Sequence, residues 1–362
     1  MRPYWHNLFR RLQGAEDSGP PPHAGLAAAA MIASRFYGLG AGLRRTLYAR
    51  GLLRTKQLPA PVISVGNITV GGTGKTPVVA CLAGLWRDRG KRVAILSRGY
   101  GGWLHGPTRL SDGERLYHKP PEVGEEPYWL ARALPGVAVY TGADRYAAGL
   151  AAWEEFKPDL FLLDDGFQHF QLHRDLDLVL LDAADPFGNG FLLPRGPLRE
   201  PLTALNAAQT IILTRFDHQR HQRNLSAIQK RFPDKMVLTA SISPVRVTLY
   251  PGGQAEAPEV VRHRALMAFA GLARPEVFTA TLRDLGVDQK GFQIFPDHHN
   301  YTPQEVHDLA LAAQARGAEA LITTGKDWAR LGESWDEGVP LWVLEVEARL
   351  SAPEGVLTFL ER

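Results

Sequence analysis

The chain has 362 residues, of which 45% are hydrophobic and 22% are charged, with a formal net charge of +3. These values are typical of a globular protein with two domains, and the mild charge argues against nucleic acid as a partner. The single cysteine, Cys81, cannot form a disulfide within the chain. A reducing, cytoplasmic compartment is therefore expected.

The N-terminal region predicts an extension over residues 1–24 and a basic amphipathic helix within residues 25–58. No run reaches the 18 or more uncharged apolar residues of a transmembrane helix, so none is predicted. Apolar residues fall near one side of the helix, and arginines accompany them: Leu26, Ala30, Ala33, Tyr37, Leu43, Leu47, with Arg35, Arg44, Arg45, Arg50 and Arg54. Such a helix can lie on an anionic membrane surface or pack on its own domain. The sequence favours neither.

Residues 62–77 predict a buried strand, a glycine-rich turn and the start of a helix. The turn supplies the expected nucleotide-binding residues: Gly71, Gly72, Thr73, Gly74, Lys75 and Thr76. Glycines let backbone amides approach phosphate oxygens, Lys75 adds a positive charge, and the Thr76 hydroxyl can bind Mg²⁺. Thr69 occupies the place of the usual first glycine, and an ordinary strand–helix turn is the alternative. The order of strand, loop and helix predicts a nucleoside triphosphate site.

Short apolar runs alternate with helical patterns along the first two thirds of the chain. The runs are Val62–Val65, Val93–Leu96, Val137–Tyr140, Leu160–Leu163, Leu178–Leu181 and Ile211–Leu213. Such runs fit strands buried in a parallel sheet, whose ligand site lies at the carboxyl ends. Asp164 and Asp165 follow one run directly, and this Walker-B-like pair can hold Mg²⁺. The fold class is therefore α/β, with a P-loop NTPase-type parallel sheet.

Two further loops carry candidate binding residues. Arg195 and Arg199 lie among three prolines in a loop that suits a phosphate or an acidic headgroup, or that is merely structural. Thr214–Asp217 is similar to the base-reading motif of guanine-nucleotide proteins. It supports a rival hypothesis, a nucleotide-hydrolysing switch or metallochaperone, although Arg215 replaces the expected lysine and no metal-delivery Cys/His cluster is present.

The pattern changes after residue 245. The expected organisation is a P-loop domain over 59–245, a linker over 246–262, a smaller α/β domain over 263–345, and a segment over 346–362 that returns to the P-loop domain. Within the smaller domain, Asp297-His298-His299 precedes a capped helix. Adjacent histidines diverge, so a zinc site is not expected. A histidine that steers proton transfer and a plain surface turn both remain open.

Taken together, these residues resemble the tetraacyldisaccharide 4′-kinase (lipid A 4′-kinase) family. The stretches that carry the resemblance run in family order from residue 64 to residue 327: SVGNITVGGTGKTP, SRGYGG, VGEEPYWLA, TGADRYAA, LLDDGFQH, LPRGPLREP, FAGLARPEVF, FPDHHNYT and TTGKD. LLDDGFQH together with GGTGKTP is far more specific than either Walker motif alone.

The resemblance implies transfer of the γ-phosphoryl of ATP, with Mg²⁺, to the 4′-hydroxyl of a tetraacylated glucosamine disaccharide. It implies a peripheral protein, expected to be a monomer, on the cytoplasmic face of the inner membrane. Asp164 and Asp165 match the acidic pair for metal binding and catalysis, and the family's catalytic Asp and its His partner fall on Glu125 and His298. Residues expected to contact the lipid substrate are Arg98, Tyr100, Arg145, Gln168, His169, Arg195 and Arg199.

Two positions depart from the family pattern. Glu125 stands where the family has Asp, so the carboxylate is one methylene longer, and Gly325 stands where the family has Glu. The role of the Thr-Gly-Lys-Asp segment around Gly325 is not specified by the sequence. A further alternative is a membrane-surface scaffold whose nucleotide site is only structural.

Overall fold

A computed structural model describes residues 24–332 and 335–361, so the predicted extension lies outside the described residues except for Ala24. The described chain forms two compact units. The first comprises residues 24–75, 159–241 and 350–361, and the second comprises Thr76–Pro158 and Ile242–Arg349. The predicted domains over 59–245 and 263–345 group residues 76–158 differently, and their boundaries stay a prediction.

The α-helices of the described residues alternate with strands through most of the chain. The helices are α1 (Ala24–Ala49), α2 (Lys75–Asp88), α3 (Glu125–Ala133), α4 (Arg145–Phe156), α5 (Gln222–Arg231), α6 (Pro275–Asp284), α7 (Pro303–Ala315), α8 (Gly325–Arg330) and α9 (Glu354–Leu357). The strands are β1 (Val62–Asn67), β2 (Val93–Ser97), β3 (Thr108–Ser111), β4 (Ala138–Thr141), β5 (Leu160–Asp164), β6 (Leu176–Asp182), β7 (Thr210–Thr214), β8 (Met236–Tyr250), β9 (Gln254–Glu256), β10 (Ala265–Ala270), β11 (Asp288–Ile294), β12 (Ala320–Thr324) and β13 (Leu341–Leu350).

In the first unit, β5, β1, β6, β7 and the start of β8 form a parallel sheet in that order. Every residue of β1, β5, β6 and β7 is buried. This matches the apolar runs predicted as strands covered on both faces, and the P-loop-type α/β fold is confirmed. The register pairs Val65 with Asp164, which places the end of β5 beside the end of β1.

In the second unit, β11, β10, β12 and β13 run parallel in that order, while β4 pairs with β2 in parallel and with β3 in antiparallel direction. The turn at Pro251–Gly253 joins β8 to β9 as a hairpin. The sequence did not predict β3 or β11. Most residues of β11 are polar and none is buried, so neither an apolar run nor an alternating pattern marks it.

Helix α1 belongs to the first unit and ends at Ala49, earlier than the predicted segment, with Gly51 at φ 70° after it. One side contacts the loop at 192–200, where Ser34 Oγ donates to the carbonyl of Leu192 at 2.7 Å. Large side chains on another side are exposed: Ile32, Phe36, Leu39 and Leu43. Spacings of three and four residues place these four on one stripe. Ala30 is buried instead, so the face predicted to hold both Ala30 and Leu43 was wrong.

The same helix is long and apolar enough over Gly25–Ala49 to cross a membrane, by length and composition. The stricter criterion of an uncharged run excluded it because Arg35 lies in its middle. Length and composition do not distinguish a spanning helix from one that lies along a membrane surface.

Candidate active site

The phosphate loop of the first unit follows β1 with the backbone conformation that its glycines predicted. Gly71 and Gly74 have φ values of 94° and 75°, which L side chains rarely adopt. Gly66 is needed for a different reason, since a Cβ there would lie 2.7 Å from the backbone nitrogen of Phe167. The close approach brings the segment after Asp165 against the end of β1.

Side chains of the first unit donate hydrogen bonds to two carbonyl groups and one hydroxyl group of this loop. Thr214 Oγ1 donates to the carbonyl of Thr73 at 2.7 Å, and Arg215 donates to that of Gly72 at 2.7 Å. Asn67 Nδ2 donates to the Thr73 hydroxyl at 3.0 Å. These hydrogen bonds restrain the loop, and restraint of a binding loop reduces the entropy lost when a ligand binds.

Opposite charges converge beside the loop. Arg199 Nη1 lies 3.0 Å from Asp165 Oδ1, and Lys75 Nζ lies 3.8 Å from the same oxygen. The neighbouring Asp164 is buried at the end of β5. Two cations and two carboxylates at one loop can neutralise phosphate oxygens and hold a divalent cation.

The two arginines of the proline-rich loop have separate contacts. The loop is bound to the phosphate loop by hydrogen bonds from Arg199 N to the Ile68 carbonyl and from Val70 N to the Pro197 carbonyl. Arg199 therefore reaches Asp165. Arg195 instead donates to the carbonyl of Ala27 in α1 at 3.5 Å. The structure brings one of the two predicted arginines to the phosphate loop.

Gln168 and His169 follow the acidic pair, and the structure shows contacts through which each holds the local chain. Gln168 Nε2 donates to the Asn67 carbonyl at 2.8 Å, which ties the segment to the end of β1. The backbone carbonyl of His169 accepts from Arg174 at 2.9 Å. Their predicted substrate contacts stay a prediction.

In the second unit, Glu125 and His298 meet, although 173 residues separate them. His298 Nδ1 and Glu125 Oε1 form a hydrogen-bonded ion pair. Glu125 begins α3 and is buried, and a helix N-terminus stabilises a carboxylate. His298 has a φ of 59°, a backbone conformation that is uncommon for a residue other than glycine. The predicted pairing of these two residues is present in the structure.

The pair is ionised because each partner stabilises the charge of the other. Burial alone would raise the pKa of Glu125, but the hydrogen bond and charge of His298, helped by Arg330, lower it below its usual value. The hydrogen bond to Glu125 raises the pKa of His298, which outweighs the opposing effect of burial. A carboxylate that stays ionised in a buried place can accept a proton from a hydroxyl group.

Glu126 faces a different set of groups from its neighbour. Its Oε1 accepts a hydrogen bond from Thr76 Oγ1 at 3.3 Å and forms an ion pair with Lys326 Nζ. The second unit therefore holds the Thr76 hydroxyl near a fixed carboxylate.

The ring of Tyr100 lies edge-on to that of His298, with centroids 5.4 Å apart.

The remaining predicted substrate residues of the second unit have different surroundings. Arg98 is exposed, whereas Arg145 is buried and donates to the carbonyl of Ala143 at 3.1 Å. Arg145 thus stabilises the start of α4. Neither arrangement tests a substrate contact, and both residues stay predictions.

The segment that supported the rival nucleotide switch has structural partners. Arg215 forms an ion pair with Asp182 in addition to its contact with the phosphate loop. The Asp217 carboxylate accepts from the backbone N–H groups of Gln219 and Arg220, which lower its pKa. The motif is therefore used to build the loop and its own turn.

Three residues of the site were not predicted as functional from the sequence: Lys326, Arg330 and Asn67. Lys326 belongs to the Thr-Gly-Lys-Asp segment, which the sequence singled out without a role. Arg330 follows one helical turn later, and only the fold brings it to Glu125. In the described parts of the chain, no group of three or more His, Cys, Asp or Glu side chains could by itself hold a metal ion.

A phosphate loop on a parallel sheet, with a paired acid and histidine elsewhere in the chain, defines the class of P-loop kinases. The family model described as Tetraacyldisaccharide-1-P 4′-kinase matches residues 26–362. The chain belongs to this family, and it is a kinase.

Relatives and a solved structure agree with this assignment. The Tetraacyldisaccharide 4′-kinase of Geobacter metallireducens is 45% identical over 327 residues, which cover 90% of this chain and 95% of that protein. The Tetraacyldisaccharide 4′-kinase of Geobacter sulfurreducens is 42% identical, with 98% of both chains covered. The crystal structure of LpxK from Aquifex aeolicus in complex with ATP superimposes with a TM-score of 0.72 at 35% identity, covering 91% of this chain and 96% of that one.

Proposed function

We propose that this kinase transfers the γ-phosphoryl group of ATP to the 4′-hydroxyl of a tetraacylated glucosamine disaccharide at a membrane surface. The observation that carries the proposal is the ion pair between Glu125 and His298, which supplies a proton acceptor in a chain that also has a phosphate loop. Family membership supports the choice of acceptor, since the curated relatives bear the name of that reaction.

On the nucleotide side, the loop amides and Lys75 would bind the β- and γ-phosphates. Arg199 would add a second positive charge near Asp165. The residues that would hold Mg²⁺ are Thr76, Asp164 and Asp165, which offer the hard oxygen ligands that this ion prefers. When bound, Mg²⁺ neutralises charge that develops on the transferring phosphoryl group. Asn67 and Thr214 keep the loop rigid, so little reorganisation is needed.

On the acceptor side, Glu125 would take the proton of the 4′-hydroxyl as the hydroxyl oxygen forms a bond to the γ-phosphorus of ATP, while the bond from that phosphorus to the β,γ-bridging oxygen breaks and ADP leaves. His298 keeps Glu125 ionised and oriented through its Nδ1 contact. Phosphoryl transfer needs alignment more than covalent help, so a fixed carboxylate contributes chiefly by orienting the hydroxyl. Tyr100 packs edge-on to the His298 ring and would restrain it.

Membrane association would use the exposed apolar stripe of α1. Phe36 and Leu39 are 71% and 70% exposed. Large apolar side chains exposed together to water mark a surface that binds a partner or a membrane. Each buried side chain of this size contributes about 1.5–3 kcal/mol. Arg35 and Arg44 flank the stripe and would attract anionic headgroups on a cytoplasmic leaflet.

Incubation with Mg²⁺-ATP and the disaccharide lipid tests the reaction. Mass spectrometry should show one added phosphate on the lipid, and its position should be the 4′-oxygen. GTP should be a poorer donor than ATP. ATP hydrolysis without any phosphorylated lipid would instead support a nucleotide switch.

Vesicle flotation tests the membrane role of the stripe. The double variant Phe36→Ser, Leu39→Ser should release most of the protein from vesicles that contain anionic lipid. Each substitution removes apolar surface that the stripe could bury in the membrane. A matched control is Leu311→Ser in α7, which is also exposed. Equal binding of the double variant and the control would assign the stripe no membrane contact.

A further inference from the structure

Helix α8 lies against the start of α3 with two cations four residues apart. Lys326 forms an ion pair with Glu126, and Arg330 Nη2 lies 3.9 Å from Glu125 Oε1. Residues four apart on a helix are neighbours on its surface, about 5–6 Å between their Cβ atoms. One turn of α8 can therefore serve two consecutive carboxylates of α3.

We propose that Lys326 and Arg330 are positioning residues, a cationic clamp that aims the two carboxylates at the start of α3 at their separate partners. Through the clamp, Glu125 is held toward His298 and Glu126 toward the Thr76 hydroxyl. The inference rests on the proposed function, in which Glu125 accepts the proton of the sugar hydroxyl.

Arg330 is placed to couple Glu125 to the backbone that carries His298. Its side chain is 2% exposed, and Nη1 donates to the carbonyls of Gly271 at 3.0 Å and His299 at 3.4 Å. Since His299 directly follows His298, one guanidinium links the loop of the histidine with the carboxylate it pairs with. Such a planar group with several donors can hold both at once.

The clamp is itself anchored by a buried carboxylate. Asp327 is fully buried and accepts hydrogen bonds from the Gly271 amide at 2.9 Å and the Tyr301 hydroxyl at 2.8 Å. Thr324 Oγ1 also donates to it at 2.6 Å. These bonds fix α8 in rotation, so Lys326 and Arg330 face α3. A role for the whole Thr-Gly-Lys-Asp segment follows.

Gly325, one of the two residues that depart from the family pattern, allows this close packing of α8 on α3. A Cβ on Gly325 would lie 2.8 Å from Nε1 of Trp129 in α3. Glycine therefore lets the start of α8 approach α3 where a side chain would require the indole to move.

Electrostatics explains why two carboxylates in one helical turn need two cations. Glu125 and Glu126 are consecutive and partly or fully withdrawn from water, so each raises the cost of charging the other. A cation beside each offsets that cost and also removes rotamer freedom. Burial disfavours the charged ammonium, but Glu126 raises the pKa of Lys326 above its usual value, so the cation persists.

The first experiment compares Lys326→Met with Lys326→Arg in the full-length enzyme. Methionine keeps the length of the side chain but removes the charge, and kcat should fall roughly 10- to 100-fold, in the range of couplings between contacting groups. Arginine should restore most of the rate. The KM for ATP, and ATP affinity measured by calorimetry without lipid, should change little. Lys290→Met is the control, because Lys290 forms an exposed ion pair with Asp288.

The second experiment is a double-variant cycle. Lys326→Met combined with Glu126→Gln should be no slower than Glu126→Gln alone, since the clamp acts only through the carboxylate. Arg330→Lys should keep more activity than Arg330→Gln, and the thermal unfolding midpoint of each reports whether burial of the altered side chain disrupts the fold. If both Arg330 variants unfold, the Lys326 cycle decides, because the side chain of Lys326 is 28% exposed whereas that of Arg330 is 2% exposed.

Strict additivity in the cycle, or normal kcat in Lys326→Met, would overturn the clamp. Failure of the proposed function has a different signature, because Glu125→Gln would then remain fully active. A slow Glu125→Gln with a normal Lys326→Met would overturn only the clamp.

Discussion

The phosphate loop and the Glu125–His298 pair are built in opposite ways. The phosphate loop is one continuous segment, and its glycines, lysine and threonine form a motif that can be recognised in the sequence. The pair joins residues 173 apart, and Lys326 reaches Glu126 across 200. The difference teaches that a phosphate loop can be encoded locally, whereas the pair proposed to activate the acceptor depends on the tertiary fold.

If acceptor activation resides in the pair, its loss should be the largest effect. Glu125→Gln keeps shape but removes the charge and the proton-accepting capacity, so kcat should fall roughly 10²–10⁴-fold with little change in the KM for ATP. Glu125→Asp should be milder, since only reach is lost. Steady-state kinetics with the lipid acceptor measures both.

Removing the histidine of the pair should lower kcat as removing the carboxylate does. His298→Ala should fall in the same range, and the double variant should be little slower than either single variant if the two act as one unit. His307→Ala, at an exposed histidine paired with Glu337, is the control. Independent, multiplying losses would place the proton acceptor elsewhere.

Loss of charged groups at the phosphate loop should have the next largest effect on kcat. Lys75→Ala and Asp164→Ala remove groups that act on charge developed during transfer, so each should lower kcat roughly 10²–10³-fold. Substrate affinity should change less than rate. Lys230→Ala, at an exposed residue of α5, is the control. Near-normal turnover in either variant would remove the nucleotide-site assignment.

The proline-rich loop offers a sharper test within a single segment. Arg199→Ala should lower kcat about tenfold or more, because its guanidinium lies at Asp165. Arg195→Ala should leave kcat near normal, because that side chain contacts Ala27 of α1. Equal losses in the two variants would contradict the separation of their roles.

The smallest expected effect is the pH dependence of stability. The contribution of His298 is complete below its unfolded pKa of about 6.5 and is lost as pH rises through its higher folded value. That of Glu125 is present above its unfolded pKa of about 4.5 and is lost as pH falls through its lower folded value.

Thermal unfolding of the wild type and Glu125→Gln across this range measures the contribution. The wild type should be more stable between the two folded pKa values, and the two melting curves should converge on either side. A constant difference at all pH values would show that the pair adds no ionic stabilisation.

Local sequence signals were sufficient for β1, β2, β4, β5, β6 and β7, and for the phosphate loop and the acidic pair that follow two of them, because each of these strands is a run of buried residues that ends near polar groups. Resemblance to the family was needed to pair Glu125 with His298. Glu126 and Lys326 lie in stretches that carry the resemblance but that assigned them no role. Arg330 gave no signal, since a cation at a helical position is ordinary on a solvated surface. The polar strand β11 was missed because it buries no residue.

Helix α1 presents large apolar side chains on one stripe and places Ser34, Tyr37 and Gly38 toward the loop at 192–200. A Cβ on Gly38 would lie 2.6 Å from Cδ1 of Leu192, and Tyr37 donates to the carbonyl of Arg199 at 3.0 Å. Deleting the helix to test the proposed membrane role would therefore remove contacts that support the loop carrying Arg199 to Asp165. Polar replacements confined to the stripe would test that role and leave these contacts in place.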